Sequence, residues 1–347
     1  MKKENIIFIY PKLFTFIKTE IKILESEFKV ISIKQNWSNK IILPFNFIIQ
    51  FFFLIFNLHK SNIILVSFGG YWSFFPALFG RMFNKKVAIV VHGTDCVSFP
   101  EINYGNLRSS LMSWFTKKSY QLSNLILPVS ESLVYTENTY YALDKLKFGY
   151  TYHLKNIKTP YKVIPNGLIT EDWESNCVEK QMNTFITVMT NDQIKRKGGD
   201  LIIEAAKELK HCTFYFAGTN NFKSEDIHLE NVKFLGKLTP AELKKYYNKT
   251  QFYLQLSNFE GFGVAICEAM LCKCVPIVSD VNFLPEIIGD SGFVLRKRDK
   301  KMLIVLLEEA MSSKIEELSK LSKQRIKQEF SVNNRKEMLI SNLKNLK

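Results

Sequence analysis

The sequence predicts an α/β fold of two doubly wound, Rossmann-like parallel-sheet domains facing a cleft. Three observations carry this reading. The chain has 347 residues, enough for two domains of ordinary size. Short, continuous apolar runs rich in β-branched and aromatic residues recur along it, separated by amphipathic stretches. That is the pattern of strands buried on both faces and joined by helical crossovers. Finally, the turn signal Pro165-Asn166-Gly167 opens an aperiodic polar break at 165–183 that leaves six such runs on each side.

Taken in order, the first six strands are expected at 6–10, 30–33, 63–67, 87–92, 125–129 and 162–164. The second six are expected at 185–189, 213–217, 232–235, 252–256, 275–279 and 292–294. Domains are therefore placed at 1–165 and 166–330, and a last helix within 331–347 can dock back onto the first. In open sheets of this kind ligands bind beyond the carboxyl ends of the strands, so loops after strands are where chemistry is sought.

Composition narrows the function classes. Apolar residues make up 46% and charged residues 23%, which excludes wholesale disorder. A formal charge of +14 points to an anionic partner. The six cysteines (Cys96, Cys177, Cys212, Cys267, Cys272 and Cys274) contain no C-x-x-C pair. They read as reduced, buried thiols rather than a disulfide framework or zinc site. The N-terminal apolar run is too short for a signal peptide. The apolar stretch 41–58 is broken by Pro44, Asn46, Gln50 and Asn57 and closed by His59-Lys60, so it reads as a helix packed on a sheet rather than a span.

The most informative stretch is 257–288. After an expected strand comes Glu260-Gly261-Phe262-Gly263, then a helix from Val264 to Leu271. Glycines flanking Phe262 let the backbone turn sharply and present amides at the helix N-terminus, which favours a phosphate. Glu260 and Glu268, eight residues apart, can point into one cleft at different depths. Carboxylates accept hydrogen bonds from vicinal hydroxyls, which ribose and hexose both offer. Two solvated glutamates at a helix start are the plainer alternative.

The flanking residues decide between these readings. Glu260-Gly261-Phe262-Gly263-Val264, then Glu268-Ala269-Met270, Val275-Pro276-Ile277-Val278-Ser279 and Pro285-Glu286, resemble the E-x7-E region of retaining family 4 (group 1) glycosyltransferases with the GT-B fold. Val163-Ile164-Pro165-Asn166-Gly167 resembles that family's linker. Lys197-Gly198 with Asp200-Leu201-Ile202 and Ala205-Ala206 resembles the opening of its nucleotide-domain helix, and Phe234-Leu235-Gly236 its nucleobase loop. Val91-His92-Gly93-Thr94-Asp95 resembles its acceptor-side histidine motif.

The resemblance implies roles. Glu268 would hold the ribose and Glu260 the donor sugar. Lys197, Gly198 and the amides of Phe262, Gly263 and Val264 would receive the diphosphate, Leu235 would lie by the base, His92 would contact the donor sugar, and Asp95 would orient the acceptor. Where the family has an arginine five residues before the lysine, this chain has Asp192; Arg196, whose guanidinium matches phosphate geometry, is the replacement chosen over Lys195. The family's glycine-rich loop after the first strand is replaced by Tyr10-Pro11-Lys12-Leu13-Phe14.

The expected activity is transfer of a sugar from a UDP-, GDP- or ADP-sugar, without metal or other cofactor, to a glycan or lipid-linked acceptor in cell-surface polysaccharide synthesis. A same-fold epimerase or phosphorylase and a catalytically silent sugar-binding homologue are the alternatives. The chain lacks the Asp-x-Asp pair of metal-dependent transferases and the G-x-G-x-x-G of dinucleotide oxidoreductases. Nucleic acid is not an expected partner, because the Phe residues fall in core-like runs rather than among basic residues. Residues 1–165 hold 20 Lys+Arg and 9 Asp+Glu, for +11, and the remainder 27 and 24, for +3. That asymmetry points to an anionic membrane surface, hence a cytoplasmic protein peripheral on the inner face of the membrane.

Overall fold

The computed structural model describes residues 3–39, 41–174, 179–220 and 229–346. Residues 175–178 of the expected break, with Cys177, lie outside the described residues. The chain divides into two units: Met1–Thr136, Lys147–Gly167 and Val332–Lys347 form unit 1, and Glu137–Leu146 with Leu168–Ser331 form unit 2.

Unit 1 is built on five parallel strands, β1 (Asn5–Ile9), β2 (Lys29–Ser32), β3 (Ile63–Ser67), β4 (Lys86–Val91) and β5 (Leu125–Pro128), in the order β2-β1-β3-β4-β5. The central strands carry unbroken apolar runs because both faces are covered; Ile64, Leu65 and Val66 of β3 are fully buried. Helices α1 (Thr15–Glu27), α2 (Leu43–Asn57), α3 (Tyr71–Met82) and α4 (Ser110–Leu122) make the crossovers. The chain moves from β1 outward to β2, then returns across β1 to β3, which puts the topological switch between β1 and β3. The expected sixth strand at 162–164 is not a regular strand. It runs beside β5 through Lys162 N to Ile126 O and Ile164 N to Pro128 O, both 2.9 Å, so the backbone is satisfied without extending the ladder.

Two short strands, β6 (Thr136–Asn138) and β7 (Leu146–Phe148), pair with each other and precede α5 (Tyr150–His153). Within unit 2, residues 137–146 are held by Arg298 N donating to Tyr140 O and Lys297 Nζ to Thr139 O.

Unit 2 carries six parallel strands: β8 (Gln181–Val188), β9 (Thr213–Ala217), β10 (Val232–Gly236), β11 (Thr250–Gln255), β12 (Val275–Ser279) and β13 (Phe293–Leu295). Their order is β10-β9-β8-β11-β12-β13. The ring of Phe185 on β8 stacks between Phe214 on β9 and Phe252 on β11, 5.0 Å from each, so the phenylalanine excess here is core. Helices α6 (Gly199–Glu208), α7 (Pro240–Lys249), α8 (Val264–Leu271), α9 (Leu284–Ile288), α10 (Lys300–Met311) and α11 (Ile315–Glu329) complete the unit. Thr239 caps α7 in a capping box with Glu242, and Asp299 caps α10.

The last helix, α12 (Val332–Lys344), belongs to unit 1. Arg335 makes a two-pronged ion pair with Glu20 of α1, Nε to Oε2 at 2.7 Å and Nη2 to Oε1 at 2.9 Å. Its Nη1 donates to the carbonyls of Ile164 and Pro165. Both side chains are buried, and nearly every polar atom of the guanidinium is used.

Candidate active site

In unit 2 the strand order reverses between β8 and β11, so the loops leaving these two neighbouring strands meet at one carboxyl edge. One loop carries Arg196, Lys197 and Gly198; the other carries Ser257 to Gly263. They are stitched together by Asn258, whose backbone N–H donates to Arg196 O and whose Nδ2 donates to Lys195 O, both at 2.7 Å. Gly198 makes the approach possible. Its φ is +71°, and a Cβ there would fall 2.2 Å from the carbonyl oxygen of Leu256.

Glu260 is held from several sides. Its Oε2 accepts from Gln255 Nε2 at 2.9 Å and pairs with Arg196 Nη1 at 3.4 Å, and its backbone N–H donates to Asn282 Oδ1. Arg196 Nη1 also donates to Phe259 O. Asn282 Nδ2 is buried and has no hydrogen-bond partner among the described residues. Behind Gln255 the chain of contacts runs to Tyr253 and Ser257.

Lys197 Nζ donates to Val188 O at 3.0 Å. Burial lowers its pKa to about 8; Glu260 and Glu268 pull upward against that, and Arg196 adds to the lowering. Glu268, on α8, is pushed up to about 8 by burial, with Lys197 opposing. The two groups therefore titrate in one window close to neutrality, a perturbation typical of functional sites. Gly263 precedes α8 with φ +104° and, having no side chain, supplies no cap of its own to the first amides of that helix. The Phe262 side chain is buried against Phe283 and Phe330, which fixes the backbone that carries those amides.

The outer loops of the same edge are also tied. Gly218 N donates to Gly236 O and Gly236 N to Thr219 O, which places partly exposed Leu235 at the end of β10.

In unit 1, His92 follows β4. Its Nε2 lies 2.9 Å from Ser67 Oγ, and its ring packs on Phe16 and Phe68, 4.8 and 4.3 Å away. Burial, with Arg335 adding, holds its pKa well below the ordinary imidazole value, so the ring is neutral. Asp95 lies on the turn that follows His92. It is fully buried, and its carboxylate accepts from the backbone N–H groups of Gly69, His92 and Gly93 and from Tyr120 OH at 2.9–3.1 Å. With its lone pairs so engaged, it fixes the turn carrying His92.

Residues 174–328 match the family described as glycosyl transferases group 1. This stretch, which lies in unit 2, is similar to group 1 glycosyl transferases. A phosphatidylinositol N-acetylglucosaminyltransferase component of Arabidopsis thaliana is 25% identical over 174 residues, 46% of this chain and 38% of that protein. Alpha-galactosylglucosyldiacylglycerol synthase of Streptococcus pneumoniae is 25% identical over 189 residues, 48% of this chain and 50% of that protein. The chain thus spans no more than about half the length of these curated relatives. Among solved structures, sucrose-phosphate synthase from Thermosynechococcus elongatus superposes with a TM-score of 0.78 at 12% identity, over 99% of both chains. Anabaena HepE in complex with UDP gives 0.71 at 14%, over 99% of this chain and 100% of that one. These likenesses establish the GT-B fold.

Within the matched stretch, the predicted Arg196, Lys197, Gly198, Glu260, Phe262, Gly263, Val264 and Glu268 lie on or beside the loops of the β8/β11 switch. Leu235 sits farther out along the same edge, and His92 and Asp95 belong to unit 1. Sequence reasoning missed Gln255, Asn258 and Asn282, which orient Glu260 and join the two loops. The signal was available: Gln255, Ser257 and Asn258 are polar residues closing an otherwise buried strand, where each needs a partner.

Proposed function

We propose that this protein is a retaining, metal-independent glycosyltransferase that moves a sugar from a nucleoside-diphosphate sugar to a glycan or lipid-linked acceptor in cell-surface polysaccharide synthesis. The observation that carries the reading is the convergence of Arg196, Lys197, Glu260 and the N-terminus of α8 on one switch point, with Glu268 behind. Lys197 and Arg196 supply positive charge for the diphosphate, and the amides add hydrogen bonds to its oxygens. Glu268 receives the ribose hydroxyls and Glu260 those of the donor sugar. As the anomeric C–O bond breaks, its electron pair passes to the diphosphate and the sugar becomes oxocarbenium-like. The acceptor hydroxyl attacks the same face, and its proton goes to the departing phosphate oxygen. No enzyme nucleophile is required. His92, kept neutral by its surroundings, offers a hydrogen bond to the sugar in transfer, and Asp95 holds the turn that presents it. The crystallised neighbour with UDP bound is consistent with a nucleotide donor. The expected setting is cytoplasmic.

The test is turnover of a panel of UDP-, GDP- and ADP-sugars by wild type, Lys197→Ala and Glu260→Ala. At least one donor is expected to be consumed, and each variant to lose about 10²–10³-fold in rate. If no donor is bound, or both variants match wild type, the reading fails; binding without turnover would mark a silent homologue.

A further inference from the structure

Helix α2 is amphipathic in the reverse sense. Asn46, Gln50 and Leu54, spaced four apart, form its buried row. Asn46 Nδ2 donates to Asn36 O and Gln50 Nε2 to Trp72 O, both at 2.9 Å. The opposite face presents Phe45, Ile48, Ile49, Phe52, Ile55 and Phe56, each between 43% and 64% exposed. In the 18-residue stretch Leu43–Lys60, 22% is buried. The apolar surface continues onto α3, because Phe51 lies 5.5 Å from both Phe52 and Phe79, and Phe79 5.9 Å from Phe83. Met82 and Phe83 are exposed at that end. Trp114 on α4 packs on Phe74 of α3 and is itself half exposed. A face of this kind on a soluble protein marks an interaction site.

Charge selects the partner. Residues 28–94, which include α2 and α3, contain seven Lys and Arg and no Asp or Glu. Exposed Arg81 adjoins Met82 and Phe83, and His59 and Lys60 are exposed just beyond α2. A second copy would oppose one basic rim to another, whereas anionic headgroups neutralise it. At 15 residues α2 reaches about 22 Å, short of the roughly 30 Å hydrocarbon core, and its inner row is bonded to its own unit. We propose that α2, with the adjoining end of α3, is an interfacial helix that docks unit 1 on a lipid bilayer bearing anionic headgroups. The proposal is independent of the donor chemistry assigned to unit 2.

The experiment is co-sedimentation of the full chain at low salt with vesicles of phosphatidylcholine alone and of phosphatidylcholine with phosphatidylglycerol, with tryptophan emission recorded alongside. Wild type is expected to sediment with the anionic vesicles, with a blue shift that disappears in Trp114→Phe. Phe52→Asp/Phe56→Asp, at two exposed positions, should lower the bound fraction by about 10-fold or more with an unchanged melting temperature. The milder Phe52→Ser/Phe56→Ser should do the same in smaller measure. Failure of wild type to sediment with either vesicle overturns the proposal. So does binding unchanged in both double variants, or lipid-free self-association that the same substitutions abolish, which would assign the face to a second copy.

Discussion

Lys197 and Glu268 both sit near a pKa of about 8 because burial disfavours the charge on each. Below that value Lys197 is protonated and Glu268 largely neutral, which is the state that attracts a diphosphate. Above it Lys197 loses its charge and Glu268 gains one, so both changes weaken anion binding. UDP or GDP affinity measured calorimetrically is therefore expected to fall as pH rises from about 7 to about 9, by up to tenfold per pH unit for each group. Lys197→Met should bind less tightly and with a shallower slope, and Lys197→Met/Glu268→Gln should be flat across the window. A wild-type affinity that rises or stays constant there contradicts the assignment. Asp95 makes a different prediction at the same scale. Asp95→Ala strands the N–H groups of Gly69, His92 and Gly93 in the interior, for a loss of roughly 3–5 kcal/mol in denaturant unfolding.

At the scale of elements, the two loops of the β8/β11 switch form one device whose spacing depends on Gly198. Gly198→Ala adds a Cβ against the Leu256 carbonyl at a left-handed φ, so the loop must move. The expected results are a loss of about 2 kcal/mol in stability and about 10-fold in nucleotide affinity, with the fold retained by circular dichroism. Helix α12 is docked on unit 1 by a contact of another kind. Glu20→Ala leaves Arg335 buried without its carboxylate, and about 3–5 kcal/mol should be lost in unfolding. Glu20→Gln, which keeps an acceptor, should lose less. Strand positions were legible in the sequence because fully buried parallel strands are written as unbroken apolar runs. The Arg335–Glu20 pair was not, because its partners are 315 residues apart and nothing local marks either.

For the molecule as a whole, Lys197 lies on the loop after β8, and Glu260 and Glu268 lie on the loop and helix after β11, so the topology of the sheet brings these motif residues to one edge. The resemblance could not show that Asp95 is enclosed, because burial depends on Gly69 and Tyr120, which arrive from other elements. Nor did periodicity reveal the orientation of α2. An apolar stretch with two interior polar residues looks the same whether those residues face the core or the solvent, and only packing distinguishes them. The +14 charge, concentrated in the first half, has a counterpart in the segment 28–94 around α2 and α3, which holds seven Lys and Arg and no Asp or Glu. The central claim is that the β8/β11 switch of unit 2 binds a nucleoside diphosphate through Lys197. Titration calorimetry of the full chain with UDP, GDP and ADP near neutral pH tests it most directly. The account predicts saturable binding of at least one of the three, weakened about 100-fold by Lys197→Ala and left intact by Phe52→Asp/Phe56→Asp. No binding of any of the three, or binding that Lys197→Ala leaves unchanged, would contradict it.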